Sequence, residues 1–290
     1  MDLGALARER HWDRARLDAD YTARNCVSVA EFDRIIGLYA EHSRPAETLV
    51  GNQLALRYDP QSDERMDIFA AEQGSLRPVL LFVHGGYWRA LSRHHSAFMA
   101  PMLSYHGIAT AVADYTLAPQ ANLTEITRQM RAAVAHLWHN AGALGIDRQR
   151  IVVAGSSAGG HLSAALTMPG WQLEFGLPAR AVRAAMPISG LFDLAPLAAS
   201  HVQDWMHFTD AEVAALSPIR HLPDPPVRMV VALAENEAAG FVRHSALFAQ
   251  AVGAPHLRIQ GRKHFDVILD LCTSQTVLSR ALVQLCTGED

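Results

Sequence analysis

Cysteine is scarce in this chain: three among 290 residues, at positions 26, 272 and 286, with no CxxC spacing. That argues against a disulfide framework and suits a reducing, cytoplasmic setting. None of the three lies in a glycine-rich turn, so a thiol nucleophile is not expected. Positive charge is not in excess either. The net charge is −4, which leaves no basic field to attract nucleic acid. No apolar run approaches the ~18 residues of a membrane span. The first residues, MDLGALARERHWDRARLDAD, are broken by charge from Arg8 onward and hold no signal-peptide core. Internal repeats and low-complexity tracts are absent. What the chain has is apolar residues, 50% of the total against 19% charged, enough to bury a large core. Its length suits a single α/β unit over 1–290.

The order of elements is legible from hydrophobic spacing. Residues up to about 45 read as helical, with Ala30, Phe32, Ile35, Ile36 and Tyr39 on one face and Ser43-Arg44-Pro45 as the stop. QLALRYD (53–59) and MDIFAA (66–71) read as an edge hairpin joined by the turn Asp59-Pro60-Gln61-Ser62. From there strands and helices alternate. Apolar strands are expected at 78–86, 108–115, 150–155, 183–189, 228–234 and 256–261. Helices are expected at 92–105, 122–141, 158–168, 241–252 and 274–286. Asn122 is placed to cap the second of these, whose apolar face is Leu123, Ile126, Met130, Val134 and Leu137. Continuous apolar strands separated by helices imply a mostly parallel, doubly wound sheet covered on both faces. With antiparallel strands at its N-terminal edge, this is the α/β-hydrolase plan. Residues 191–226 break the alternation and read as a small cap-like insertion. Its Trp205, Met206 and Phe208 are expected to serve packing.

Two motifs carry chemistry. Gly155-Ser156-Ser157-Ala158-Gly159 matches G-x-S-x-G, directly after the strand RIVVA and before HLSAALTM. That is the context of a nucleophile elbow, a tight strand-to-helix turn that pushes a serine hydroxyl outward at a helix N-terminus. Ser157 is the expected nucleophile, and Ser156 lies one position out of register. A glycine-rich turn that merely caps a helix is the plainer alternative. The second motif, His84-Gly85-Gly86-Tyr87-Trp88, ends an earlier strand. An HGG loop there can aim backbone N–H groups at an oxyanion. The expected donors are Gly86 and Ala158, with Gly85 as the alternative, each stabilising the tetrahedral intermediate by on the order of 3 kcal/mol. His84 is expected to hold the loop rather than act as a base. Tyr87 and Trp88 are candidates to pack on a substrate ring.

In this fold the triad follows the order serine, acid, histidine. His264, just after the last apolar strand, is the expected base. His256 opens that strand, at its wrong end, and His244 lies within a helix. The acid should follow RMVVALA. Glu235 and Glu237 both qualify by spacing, and Asp224 comes too early. The histidine groups His94/His95, His136/His139 and His201/His207 lack the neighbouring ligands of a metal site. Neither a metal nor a cofactor is expected.

HGGYW, DYTLAP (114–119), GSSAGGHLSA (155–164), SGLFDLAPL (189–197) and LSPI (216–219) together resemble the arylformamidases, or kynurenine formamidases, of α/β-hydrolase type. The likeness runs from about residue 20 to 285. DYTLAP is similar to a segment of the hormone-sensitive-lipase-like esterases, which carry a third glycine where this chain has Tyr87. The family has an acidic residue four positions before a phenylalanine. Here that is Glu237 before Phe241, so the resemblance selects Glu237 over Glu235. The family's glutamate beside the phenylalanine is Gly240 here, and its RQS reads Arg243-His244-Ser245. The resemblance implies a Ser157–His264–Glu237 triad that hydrolyses an N-formyl arylamine such as N-formylkynurenine to formate and the free amine. A carboxylesterase acting on short acyl or aryl esters is the alternative. A catalytically silent binding protein is the third reading. The implied partner is a small molecule, and the family allows a homodimer.

Overall fold

The computed structural model describes every residue except Met1, Leu3, Gln73, Ser75, Glu289 and Asp290. Nine strands form one sheet: β1 (Gln53–Arg57), β2 (Arg65–Phe69), β3 (Arg77–Val83), β4 (Ala109–Ala113), β5 (Ile146–Ser156), β6 (Ala184–Ile188), β7 (Arg228–Met229), β8 (Val231–Asn236) and β9 (His256–Lys263). Their order is β1-β2-β4-β3-β5-β6-β8-β9, with the short β7 beside β6. β1 and β2 pair antiparallel, β2 joins β4 antiparallel, and the remaining pairs are parallel. The expected edge hairpin and parallel sheet are both present.

The central strands are apolar on both sides because both faces are covered. Along β3, Val79, Leu81 and Val83 point to one core and Leu80 and Phe82 to the other, as a two-residue repeat requires. The first core takes Ile126, Met130, Val134 and Leu137 from the helix Leu123–His139 and Leu162 from Ala158–Ala165. It also takes Phe241 and Phe248 from Ala239–Val252. The second takes Ile35 and Tyr39 from Val29–Ser43, Leu103 from Ala100–Tyr105, and Leu278, Leu282 and Leu285 from Val277–Thr287. Asn122 caps its helix by accepting from the Glu125 amide at 2.9 Å.

Two elements depart from expectation. A helix over 92–105 gives way to a 3-10 turn, Arg93–His95, and a helix that begins only at Ala100. Tertiary charge decides this. Arg93 is fixed between Asp67 and Asp114 by its guanidinium, and Asp114 also accepts its backbone amide at 2.7 Å. RMVVALA is split into β7 and β8 at Val230, whose amide turns to the Ala185 carbonyl at 3.1 Å.

Residues 191–226 hold two short helices, Gln203–Met206 and Asp210–Ala215, the second with a Thr209/Glu212 capping box. Leu191, Phe192, Leu194, Leu197, Val202 and Met206 are buried in the first core, so this segment packs as part of the main body. The N-terminal segment is docked as firmly. Arg243 holds Glu9 bidentately at 2.6 and 2.9 Å and Asp20 at 2.7 Å. Among the described residues no helix is long and apolar enough to cross a membrane.

Candidate active site

Ser157 stands at the sharp turn between β5 and the helix Ala158–Ala165, with φ 59° and ψ −118°. Such a conformation is costly for a residue with a side chain and persists only when its surroundings impose it. The surroundings are close. A Cβ on Gly159 would lie 2.0 Å from the Val83 carbonyl oxygen, so only glycine lets the helix start press against β3. The Ser157 amide donates to Ile188 O at 2.9 Å, which ties the turn to β6. The Ala158 amide opens the helix, where N–H groups lack intrahelical partners.

The HGG loop lies against this turn. A Cβ on Gly85 would sit 2.7 Å from Ser156 O and 3.3 Å from Ser157 Cβ. Gly86 has φ +95°, a region open to glycine, and a Cβ there would meet Ala90 O at 2.4 Å. Beneath the loop His84 stacks on Tyr115 at 4.2 Å between ring centres, and its Nδ1 lies 3.0 Å from Gly85 O. The Tyr115 hydroxyl donates to the His84 and Gly85 carbonyls, each at 3.2 Å. Burial lowers the His84 pKa to about 4 and keeps the ring neutral.

His264 follows β9 and is enclosed between Phe241 and Phe265, whose ring centres lie 4.6 and 5.0 Å away. Its Nδ1 lies 2.6 Å from Glu237 Oε2, with side-chain exposures of 2% and 0%. The other Glu237 oxygen accepts from the Ser189 hydroxyl and from the Ala234 amide, the latter at 3.3 Å. Glu235 faces away, accepting from the Gly261 amide at 2.8 Å. His244 is wholly buried, takes the Phe192 amide on Nδ1 at 2.7 Å and contacts the Tyr21 hydroxyl through Nε2. The thiols are ill suited to nucleophilic work. Burial raises all three, Cys272 to about 11 and Cys286 to about 12.

Ser157, His264, Gly85 and Gly86 open onto one cavity of about 580 Å³. Tyr87 is also in its wall. Its hydroxyl donates to Tyr21 O, and its carbonyl accepts from the Trp205 indole at 3.2 Å. Trp88 is a correction. It is 0% exposed, does not line the cavity, and packs edge-on against His161 and Phe208, so it touches no substrate ring. Trp205, ambiguous in the sequence with packing the favoured reading, lines the cavity. Sequence reasoning missed Arg24, Phe32, Ile36 and Tyr39 from the N-terminal segment, Arg89 and Leu91 after the HGG loop, and His201 and Phe265. It also missed Ser189, the hydroxyl on Glu237. The signal for it was its place as the serine that opens SGLFDL directly after β6.

Gly240 has a spatial reason here. A Cβ at that position would lie 2.5 Å from the Tyr21 ring, so the N-terminal segment occupies the space a larger residue would need. Among the described residues no group of three or more His, Cys, Asp or Glu is placed to hold a metal ion.

The BD-FAE family model matches residues 66–209, the stretch that contains both glycine motifs. Kynurenine formamidase of Salmo salar is 25% identical over 257 residues, covering 84% of this chain and 85% of that protein. The Drosophila melanogaster kynurenine formamidase is 24% identical, covering 88% and 89%. An esterase of Gibberella moniliformis is 26% identical over 72% of this chain and 74% of its own. Among solved structures, a Silicibacter protein provisionally called a thioesterase superposes with TM-score 0.79 at 28% identity, covering 93% of this chain and 98% of that one. The Pyrobaculum calidifontis esterase shares the fold, with TM-score 0.70 at 17% identity, covering 94% and 97%. The chain is an α/β-hydrolase, related to the kynurenine formamidases. The hydrolase keeps its relatives' frame, and its cavity is of a size that takes small molecules.

Proposed function

We propose that this hydrolase cleaves the formyl amide of an N-formyl arylamine, such as N-formylkynurenine, with Ser157 as nucleophile, His264 as base and Glu237 as acid. One observation carries the reading. The buried 2.6 Å contact between His264 Nδ1 and Glu237 Oε2 shares one cavity with a serine held at positive φ, Ser157 and His264 both lining it. A carboxylate there fixes the imidazole with its other nitrogen free to take a proton, and stabilises the imidazolium that forms. Ser189 and the Ala234 amide occupy the second carboxylate oxygen, which orients Glu237 itself.

In this mechanism Ser157 Oγ attacks the formyl carbon and gives its proton to His264. The Gly86 and Ala158 amides, with Gly85 adjoining, receive the oxyanion. His264 returns the proton to the aryl nitrogen as the C–N bond breaks and the amine leaves. Water then adds to the formyl-enzyme, again with His264 as base, and formate departs. The aryl ring weakens the amide by sharing the nitrogen lone pair. The kynurenine formamidase relatives, aligned along most of the chain, support the formamide substrate. The esterase relative supports a second reading, hydrolysis of short acyl or aryl esters with the same residues.

The deciding experiment compares N-formylkynurenine with a short p-nitrophenyl ester, using wild type and Ser157→Ala. Much higher kcat/KM on the formamide, lost in the variant, upholds the first reading. Cleavage of the ester alone replaces it with the second.

A further inference from the structure

Two guanidinium groups on the cavity wall have no part in the bond-breaking steps above. Arg24 comes from the N-terminal segment and Arg89 from the loop after β3, so they reach the cavity from separate elements. Each is held by an aromatic ring. Arg24 Cζ lies 3.6 Å over the Phe32 ring, and Arg89 Cζ 3.6 Å over the Trp205 ring. Stacking fixes the plane of a guanidinium and leaves its N–H edge open to an acceptor. Neither forms an ion pair with a described carboxylate.

Negative charge is missing from the same wall. Among the described residues that line the cavity none is Asp or Glu. Of the acids on the flanking segments, Asp18 and Asp204 are engaged with Arg14, Asp20 with Arg243, Glu31 with Lys263 and Glu237 with His264, and Asp266 accepts the Lys263 amide. A substrate ammonium would therefore meet two cations and no partner. A substrate carboxylate would meet two fork-shaped donors whose own partners are rings.

We infer that the cavity selects substrates whose leaving group is an anionic, carboxylate-bearing aryl amine or phenol, with Arg24 and Arg89 as the specificity-determining residues. This rests on the hydrolytic site proposed above and narrows its substrate class. Among aryl formamides, one with a carboxylate and no amine is preferred over a zwitterionic amino acid, because the ammonium of the latter goes unpaired.

The test is a leaving-group charge series: formanilide, its 3-carboxy derivative and its 3-aminomethyl derivative, with the matching phenyl acetates. Wild type is compared with Arg24→Gln, Arg89→Gln, the double variant and the two lysine variants. Ratios of variant to wild type cancel the intrinsic reactivity of each compound. Each glutamine variant should lower kcat/KM for the anionic member about tenfold, mainly through KM, as loss of one charged hydrogen bond implies. The loss on the neutral member should be several-fold smaller than on the anionic one, and the unfolding temperature reports that the variants are folded. Lysine should restore part of the loss, and added salt should shrink the anionic preference. Equal loss on neutral and anionic members, or an unchanged preference in the double variant, overturns the inference. If only the acetates are cleaved, the formamide reading fails and the charge preference is judged on the acetates. If neither series turns over, stabilisation of the wild type by benzoate against benzylammonium decides, and equal shifts refute it.

Discussion

The floor of the cavity and its opposite wall are built by different rules. The floor, residues 84–86 and 155–159, is dense with glycine because backbone meets backbone there. Gly159 presses on Val83, and Gly85 presses on Ser156. The wall draws on residues 22–39, 87–91, 201–205 and 264–268, where side chains meet space. Close approach admits one residue type, whereas open space admits many. In the proposed mechanism the nucleophile and the oxyanion donors therefore sit in short motifs, while His264 and the side chains that would meet a substrate are scattered along the chain.

Substitutions can break or sharpen that contrast. Ser157→Ala should cut kcat/KM about 10⁴-fold or more while unfolding at nearly the wild-type temperature, since only a hydroxyl is lost. Wild-type turnover in that variant would remove the floor from the chemistry altogether. Glu237→Gln should cost up to about 10⁴-fold, by analogy with loss of a triad carboxylate, against less than about threefold for Glu235→Gln. The opposite ranking would hand the acid role to Glu235. Gly159→Ala should destabilise by about 3 kcal/mol in urea unfolding, because the new methyl meets a carbonyl that cannot retreat.

Acid is a milder lever. His84, His161 and His244 are buried, which lowers them to about 4, 4 and 3 from an unperturbed 6.5. The unfolded chain therefore binds more protons below pH 6.5, and the stability these rings contribute is lost as pH falls toward 4. One unit below 6.5 the loss is on the order of 1 kcal/mol per histidine. Melting temperatures from pH 7.5 to 5 should fall accordingly, and a flat profile would contradict the neutral burial of these rings. Smallest is Gly37→Ala. This glycine is exposed on the helix Val29–Ser43 with nothing within 4 Å of its missing Cβ, so alanine should stabilise by about 0.5–1 kcal/mol. A loss there would mean that the wall is as tightly fitted as the floor.

The same contrast explains what the sequence made legible. The succession of strands and helices along the chain, the Asn122 cap and the elbow follow from periodicity and local turn chemistry, so RIVVAGSSAGG was readable as it stood. Arg93 was not, because the pull of Asp67 and Asp114 comes from strands 26 and 21 residues away. Trp88 and Trp205 look alike in sequence, both aromatic and both near glycine or charge. One is core and the other wall because residues 205–208 lie against the HGG loop, with Phe208 edge-on to Trp88 and the Trp205 indole on the Tyr87 carbonyl. Arg24 and Arg89 carried no motif, and only the common cavity relates them.

The docking of the N-terminal segment has one more consequence. Arg243 grips Glu9 and Asp20 six residues after Glu237, about one turn into its helix, and Tyr21 rests on Gly240 between them. The segment that supplies Arg24 is thus bolted to the helix that begins beside the proposed acid. Widening the cavity by moving that segment would strip a largely buried carboxylate of its partner, a loss of about 3–5 kcal/mol where such pairs are broken. Variants selected for bulkier substrates should therefore carve the wall side chains and leave this joint alone, so promiscuity in this hydrolase is bounded by its thermal stability.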